Sequence, residues 1–200
     1  RWAAMHIAWR LGDAWDGFGH MMDSPDISHD VKLAWFHYWG RMAHFSMTES
    51  SEGNRVIARG EALMVLGSRI SEYKDANTWK TFGFNKLMSN ALDLFYPDGA
   101  CKEPTMNYHG FSLSNLLSGY NRAEEYGFEV PAEIDQVVEK ALSFTTYMMM
   151  PNGQIPSTGD TDCMNFLTGQ DLWNGWRNGE AAKLHKMFGR QDALWISTVG

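Results

Sequence analysis

Apolar residues along this chain recur mostly at steps of three and four, the spacing that lines one face of an α-helix. Val56, Gly60, Leu63, Gly67 and Ile70, with Ile57 and Met64 beside them, form one such stripe. Two glycines inside an apolar stripe predict that another helix comes close. Phe84, Met88, Ala91 and Phe95 repeat the pattern, with a capping start at Asn77-Thr78-Trp79 and a stop at Tyr96-Pro97-Asp98-Gly99. Leu113, Leu116, Leu117, Tyr120 and Ala123 mark a further helix closed by Gly127. Ile134, Val138, Ala141 and Met148 mark another, with Pro131 at its first turn and Pro151-Asn152-Gly153 beyond its end. Upstream, residues 2–22 and 28–47 read as two more helices, divided by Asp23-Ser24-Pro25-Asp26, with Ser28 capping the second.

Toward the end the helical stripe fades. Asn165, Gly169, Asn174, Gly175, Asn178 and Gly179 predict a loop over 165–179. Glu180 to Phe188 then predicts a short helix closed by Gly189, and Ala193-Leu194-Trp195-Ile196 a strand.

The turn Pro97-Asp98-Gly99 returns as Pro151-Asn152-Gly153, each time after a helix and before a short extended stretch and a new helix start. A period of two helices with their connections predicts stacked helical hairpins. Hairpins that curve round form an α/α toroid, whose equivalent loops gather at one end. The expected fold is therefore all-α, an incomplete (α/α) toroid over residues 1–190, with 191–200 opening a linker or strand. Because Arg1 already falls inside a helical pattern, the chain reads as a fragment of a longer protein. On this arrangement Asn54, Tyr108 and Asp160 occupy comparable lip positions, one per repeat.

Composition narrows the function classes. With 44% apolar residues in 200, one sizeable core can form, and no apolar run is long enough for a membrane span. A net charge of −7 without a basic patch excludes nucleic acid and anionic membrane surfaces as partners. An acidic polymer could bind only through local positive charge. Cys101 and Cys163 are too few for a disulfide framework; buried thiols are the default, a bridge between neighbouring repeats the alternative. The histidines show no paired metal spacing, and neither a phosphate loop nor a nucleophile elbow occurs.

Two stretches carry candidate chemistry. Gly53-Asn54-Arg55 and Glu103-Pro104-Thr105-Met106-Asn107-Tyr108-His109 each fall where a helix begins, about one helix-pair repeat apart. An amide and a phenol do not titrate near neutral pH. They do suit removal of a proton beside a carboxylate, as in a uronic acid: the amide donates to the carboxylate while the phenol serves the departing oxygen. Asn54 can alternatively be read as a helix N-cap, and Tyr108 as an amphipathic core residue. Arg55 is a bidentate carboxylate ligand or a solvated helix-start residue. His109 binds sugar, supports Tyr108 or is structural, and Glu103 orients a donor or is a first-turn acid. Asp160 reads as a cap. Arg55 and Arg59 are the nearest cations that could lower the phenol's pKa.

The order Ser24-Pro25, Glu52-Gly53-Asn54, Tyr96-Pro97-Asp98-Gly99, Glu103-Pro104, Tyr108-His109 and Gly159-Asp160-Thr161 resembles the toroid domain of heparinase II/III-like polysaccharide lyases, a group that includes alginate lyases. The resemblance covers nearly the whole chain. It implies β-elimination on a uronate polysaccharide or oligosaccharide, with the toroid followed by an antiparallel β-sandwich and the active site between the two. By that match Asn54 neutralises the uronate carboxylate and Tyr108 is the catalytic acid, or acid and base. Arg55, Glu103 and His109 are the substrate-binding candidates; Glu103 matches an acidic residue of the family pattern, whereas Arg55 stands where the family often has a His. No cofactor is expected in this segment, and a structural metal only in the domain that would follow. The substrate class implies a periplasmic or secreted protein. Two other readings stay open: a toroid glycoside hydrolase using Glu103 and Asp160 as paired carboxylates, and a carbohydrate-binding scaffold without catalysis.

Overall fold

The computed structural model describes residues 4–149, 156, 158–159 and 169–198. Eight α-helices occur among them: α1 (Ala4–Met22), α2 (His29–Thr48), α3 (Asn54–Arg69), α4 (Ala76–Leu94), α5 (Met106–Glu125), α6 (Ala132–Met148), α7 (Gly169–Phe188) and α8 (Gln191–Thr198). The chain divides into two compact units, residues 1–90 with 118–130, and residues 91–117 with 131–200.

In the first unit α1 packs on α3 and α2. Its core gathers Ile7, Leu11, Trp39, Leu63, Leu66 and Trp79, all almost wholly buried. The glycine stripe of α3 does what its pattern predicts. A Cβ on Gly60 would lie 2.8 Å from the Gly83 carbonyl, and one on Gly67 would lie 2.2 Å from the Ala76 carbonyl, so α3 and α4 approach too closely for any side chain between them. The C-terminal half of α5 joins this unit through polar contacts. Arg122 Nε pairs with Glu61 at 3.3 Å, and Arg69 Nε donates to the Tyr126 hydroxyl at 2.8 Å.

Helix ends follow local chemistry. Ser28 Oγ accepts the Val31 N–H at the start of α2. The end of α5 closes in a Schellman motif: Gly127, at φ 74°, donates to Glu124 O, and Phe128 donates to Ala123 O. Phe128 then stacks on Phe84 with ring centroids 4.3 Å apart. Asn77 is not the cap of α4; the helix already begins at Ala76, with Trp79 N–H bonded to Asp75 O.

In the second unit α6, α7 and α8 pack on one another. Between α4 and α5 the chain makes a tight hairpin rather than a loose loop. Gly99 N–H donates to Tyr96 O, Tyr96 N–H to Ala100 O, and Phe95 and Cys101 form an antiparallel bridge. Gly99 sits at φ 94° against the Lys140 carbonyl, where a Cβ would come within 2.2 Å. Only glycine fits that turn, and the hairpin lies directly on α6.

Two expectations are overturned here. The segment 169–179 is the first half of α7, not a loop. Each glycine in a helix costs about 1 kcal/mol against alanine, which packing of the whole element can override. Ala193–Ile196 is helical, within α8, rather than a strand; Ala193 is buried and Trp195 exposed, an alternation that four residues cannot assign to either period. Pro151-Asn152-Gly153, Asp160 and Cys163 lie outside the described residues. Cys101 is a buried thiol whose Sγ lies 3.7 Å from Ser112 Oγ.

Candidate active site

The start of α3 is built from a glycine and an arginine. Gly53 occupies the cap position at φ 66°, ψ −144°, a conformation that side chains disfavour, and makes no side-chain cap. Its carbonyl accepts from Val56 N–H at 3.0 Å and from Asn90 Nδ2 at 3.1 Å. Asn54 is thus the first helical residue rather than the cap, and it is buried, 6% exposed. Arg55, next to it, is exposed.

Arg59 is not a cation awaiting a substrate. It is 4% exposed, and its Nη1 donates to the Glu49 carbonyl at 2.6 Å, to Glu49 Oε2 at 2.5 Å and to Ser51 Oγ at 2.9 Å. Ser51 N–H also donates to Glu49 Oε2 at 3.0 Å. Desolvation acts to raise the Glu49 carboxyl, but the hydrogen bonds from Ser51 and Arg59 outweigh it and hold the group below its ordinary value. The segment joining α2 to α3 is therefore pinned from within. Sequence reasoning missed this cluster because Glu49, Ser51 and Arg59 follow no helical period across the α2–α3 break.

The start of α5 is capped by Thr105. Its Oγ1 accepts the Tyr108 N–H at 3.1 Å and its carbonyl accepts the His109 N–H at 2.9 Å. Tyr108 falls in the first turn and is partly exposed. Glu103 is likewise partly exposed, and its carbonyl accepts the Thr105 N–H at 2.9 Å. Gly159, at φ 65°, lies against the same start: a Cβ there would be 3.2 Å from the Thr105 methyl and 3.7 Å from the Pro104 carbonyl. The hairpin thus brings Glu103 and Tyr108 onto one junction, with the residue before Asp160 beside it.

His109 belongs to the interior, and its reading as a sugar ligand is corrected. It is 2% exposed. Nδ1 accepts the Cys101 N–H at 3.2 Å, which leaves the ring proton on Nε2, 2.8 Å from Thr145 Oγ1 and 3.2 Å from the Ala141 carbonyl. Both nitrogens are used within the protein. Burial lowers its pKa to about 4. The ring ties the hairpin, α5 and α6 together, one residue after Tyr108. Among the described residues no three His, Cys, Asp or Glu side chains converge as metal ligands.

Asn54 lies in the first compact unit and Tyr108 in the second. Each opens a helix, and the partial positive charge of a helix N-terminus favours an anion there. A family model described as the heparinase II/III N-terminus matches residues 1–178, and the chain belongs to that family. Curated relatives include a heparin-sulfate lyase of Bacteroides stercoris, 24% identical over 204 residues that cover 100% of this chain and 29% of the relative. A heparin-sulfate lyase of Bacteroides thetaiotaomicron is 22% identical over 181 residues, covering 88% of this chain and 25% of its own. A crystal structure of heparinase III superposes with a TM-score of 0.84 at 19% identity, over 100% of this chain and 31% of that one. A mutant heparan sulfate lyase from Pedobacter heparinus superposes with a TM-score of 0.72 at 20% identity, again over 100% and 31%. The fold is accordingly that of a partial α/α toroid. The chain spans less than a third of the length of these relatives.

Proposed function

We propose that the protein containing this chain is a polysaccharide lyase that cleaves uronate glycans of the heparan sulfate or alginate kind by β-elimination. The observation that carries the reading is that Gly53, not Asn54, fills the cap position of α3 in a chain of the heparinase II/III family. Asn54 is thereby the first residue of the helix rather than its cap. The names of the curated relatives, heparin-sulfate lyases, support the same substrate class.

In the proposed reaction Asn54 donates to the uronate carboxylate. That donor grows in value as the C5–H bond breaks and charge builds toward an enolate; one such preorganised donor contributes on the order of 3 kcal/mol. Tyr108 serves the other end. Starting ionised, it takes the C5 proton on the same face, and the hydroxyl so formed delivers that proton to O4 as the C4–O4 bond breaks. The C5–H electron pair becomes the C4–C5 double bond, so one product carries an unsaturated uronate and the other a free hydroxyl. Arg55, exposed beside Asn54, and Glu103, at the Tyr108 junction, are the proposed substrate contacts. A polymeric substrate of this size implies a periplasmic or secreted enzyme.

The test uses the full-length parent protein with heparan sulfate, heparin, alginate and hyaluronan, following ultraviolet absorbance of the unsaturated uronate. Absorbance should rise with at least one of them. Tyr108→Phe and Asn54→Ala should each lower kcat by about 100-fold or more. Chain shortening without absorbance would replace this reading with the hydrolase that pairs Glu103 with Asp160. Binding without any cleavage would favour a scaffold.

A further inference from the structure

The sequence offers Arg59 as a cation for the active site, and the structure gives it another task. A guanidinium is costly to bury, and one is kept in water's absence only where its contacts are specific. Here a single nitrogen, Nη1, gathers the Glu49 carbonyl, the Glu49 carboxylate and Ser51 Oγ, while the buried Nε finds no partner among the described residues.

What the contacts do accomplish is positional. They fasten the start of the short link between α2 and α3, and Asn90 fastens its end by donating to the Gly53 carbonyl. Between those two anchors the chain must enter α3 through a glycine at φ 66°. The link cannot slide or rotate without breaking one of these contacts, so the direction in which Asn54 leaves the helix start is set from both sides.

We infer that Arg59 is a positioning residue that, through Glu49 and Ser51, holds Asn54 in the orientation its proposed role requires. The inference rests on the catalytic reading of Asn54 given above. Arg59 itself makes no contact with substrate in this role. A donor aimed at developing charge loses most of its effect when displaced by about 1 Å, so loosening the link should act on turnover more than on binding.

The experiment uses the full-length protein and heparan sulfate, with Asn54→Ala, Arg59→Met, Arg59→Lys and the double variant Asn54→Ala/Arg59→Met, each checked for folding by circular dichroism and thermal melting. Arg59→Met should lower kcat by about 30- to 300-fold and change KM by less than about threefold. Arg59→Lys, which keeps one charged donor, should recover about tenfold of that loss. The double variant should be no slower than Asn54→Ala alone, because there is nothing left to position. Should Arg59→Met not fold, Ser51→Ala carries the test with an expected loss in kcat of about three- to tenfold.

An unchanged kcat in folded Arg59→Met, or losses that multiply in the double variant, would overturn the inference while an inactive Asn54→Ala left the catalytic reading standing. An active Asn54→Ala would remove both.

Discussion

His109 is a titratable side chain held in one protonation state by its neighbours. Its Nδ1 faces a backbone N–H, so a second ring proton has nowhere to bind without breaking the contact to Cys101. Burial depresses the folded pKa to about 4, below the ordinary 6.5. The sign follows from linkage: above pH 6.5 both folded and unfolded forms are neutral and the stabilisation is fully present. As pH falls from 6.5 toward 4 the unfolded chain takes up a proton that the folded chain refuses, and about 3 kcal/mol is lost across that window. Urea melts of wild type and His109→Gln at pH 7, 5.5 and 4 check this. The wild type should be the more stable at pH 7, and its advantage should shrink steadily as pH falls; a constant difference would mean that His109 does not titrate in this window.

The same residue illustrates what was readable and what was not. Its sequence context allowed sugar contact, support of Tyr108 or a purely structural role, and only its partners on α6 and the hairpin exclude the first. Arg55 and Arg59 present the same lesson in reverse. They are one helical turn apart and alike in sequence, yet one is exposed and the other buried on Glu49. Distinguishing them requires knowing where the α2–α3 link runs.

Helices of this chain differ in how far their glycines matter. Gly83 of α4 faces α3, where a Cβ would lie 2.4 Å from the Met64 nitrogen and 2.5 Å from the Gly60 carbonyl. Backbone atoms cannot move aside as a side-chain tip can, so Gly83→Ala should destabilise by about 3 kcal/mol or prevent folding. Gly179, inside α7, is different: a Cβ added there would meet nothing within 4 Å among the described residues. There the gain in helix propensity should dominate, and Gly179→Ala should be neutral or stabilising by up to about 1 kcal/mol. Thermal melts of the two variants give the comparison. A stabilised Gly83→Ala would refute the close approach of α3 and α4.

Element boundaries divide along similar lines. The stripe on α3, the cap at Ser28, the Gly127 stop and the Pro97-Asp98-Gly99 turn are local signals, and each marks a feature that forms where predicted. α7 fails as a prediction because its glycines and asparagines favour turns locally, while the helix packs against α6 and α8. α8 fails because a run of four apolar residues carries too little periodicity to separate a strand from a helix.

For the whole molecule, a segment charge of −7 and a proposed anionic substrate would be at odds if long-range attraction set binding. The proposed roles depend instead on local donors at each helix start taken by itself, where amide dipoles and short contacts act over a few ångströms. The sequence by itself determined the helical class, the family and the two helix starts that carry Asn54 and Tyr108, because all of these depend on residues near one another along the chain. Tertiary structure alone decided that Arg59 is a buried anchor, that Gly53 rather than Asn54 takes the cap of α3, and that His109 is a neutral interior link. Each of those outcomes depends on burial or on partners distant in sequence, and periodicity carries no information about either.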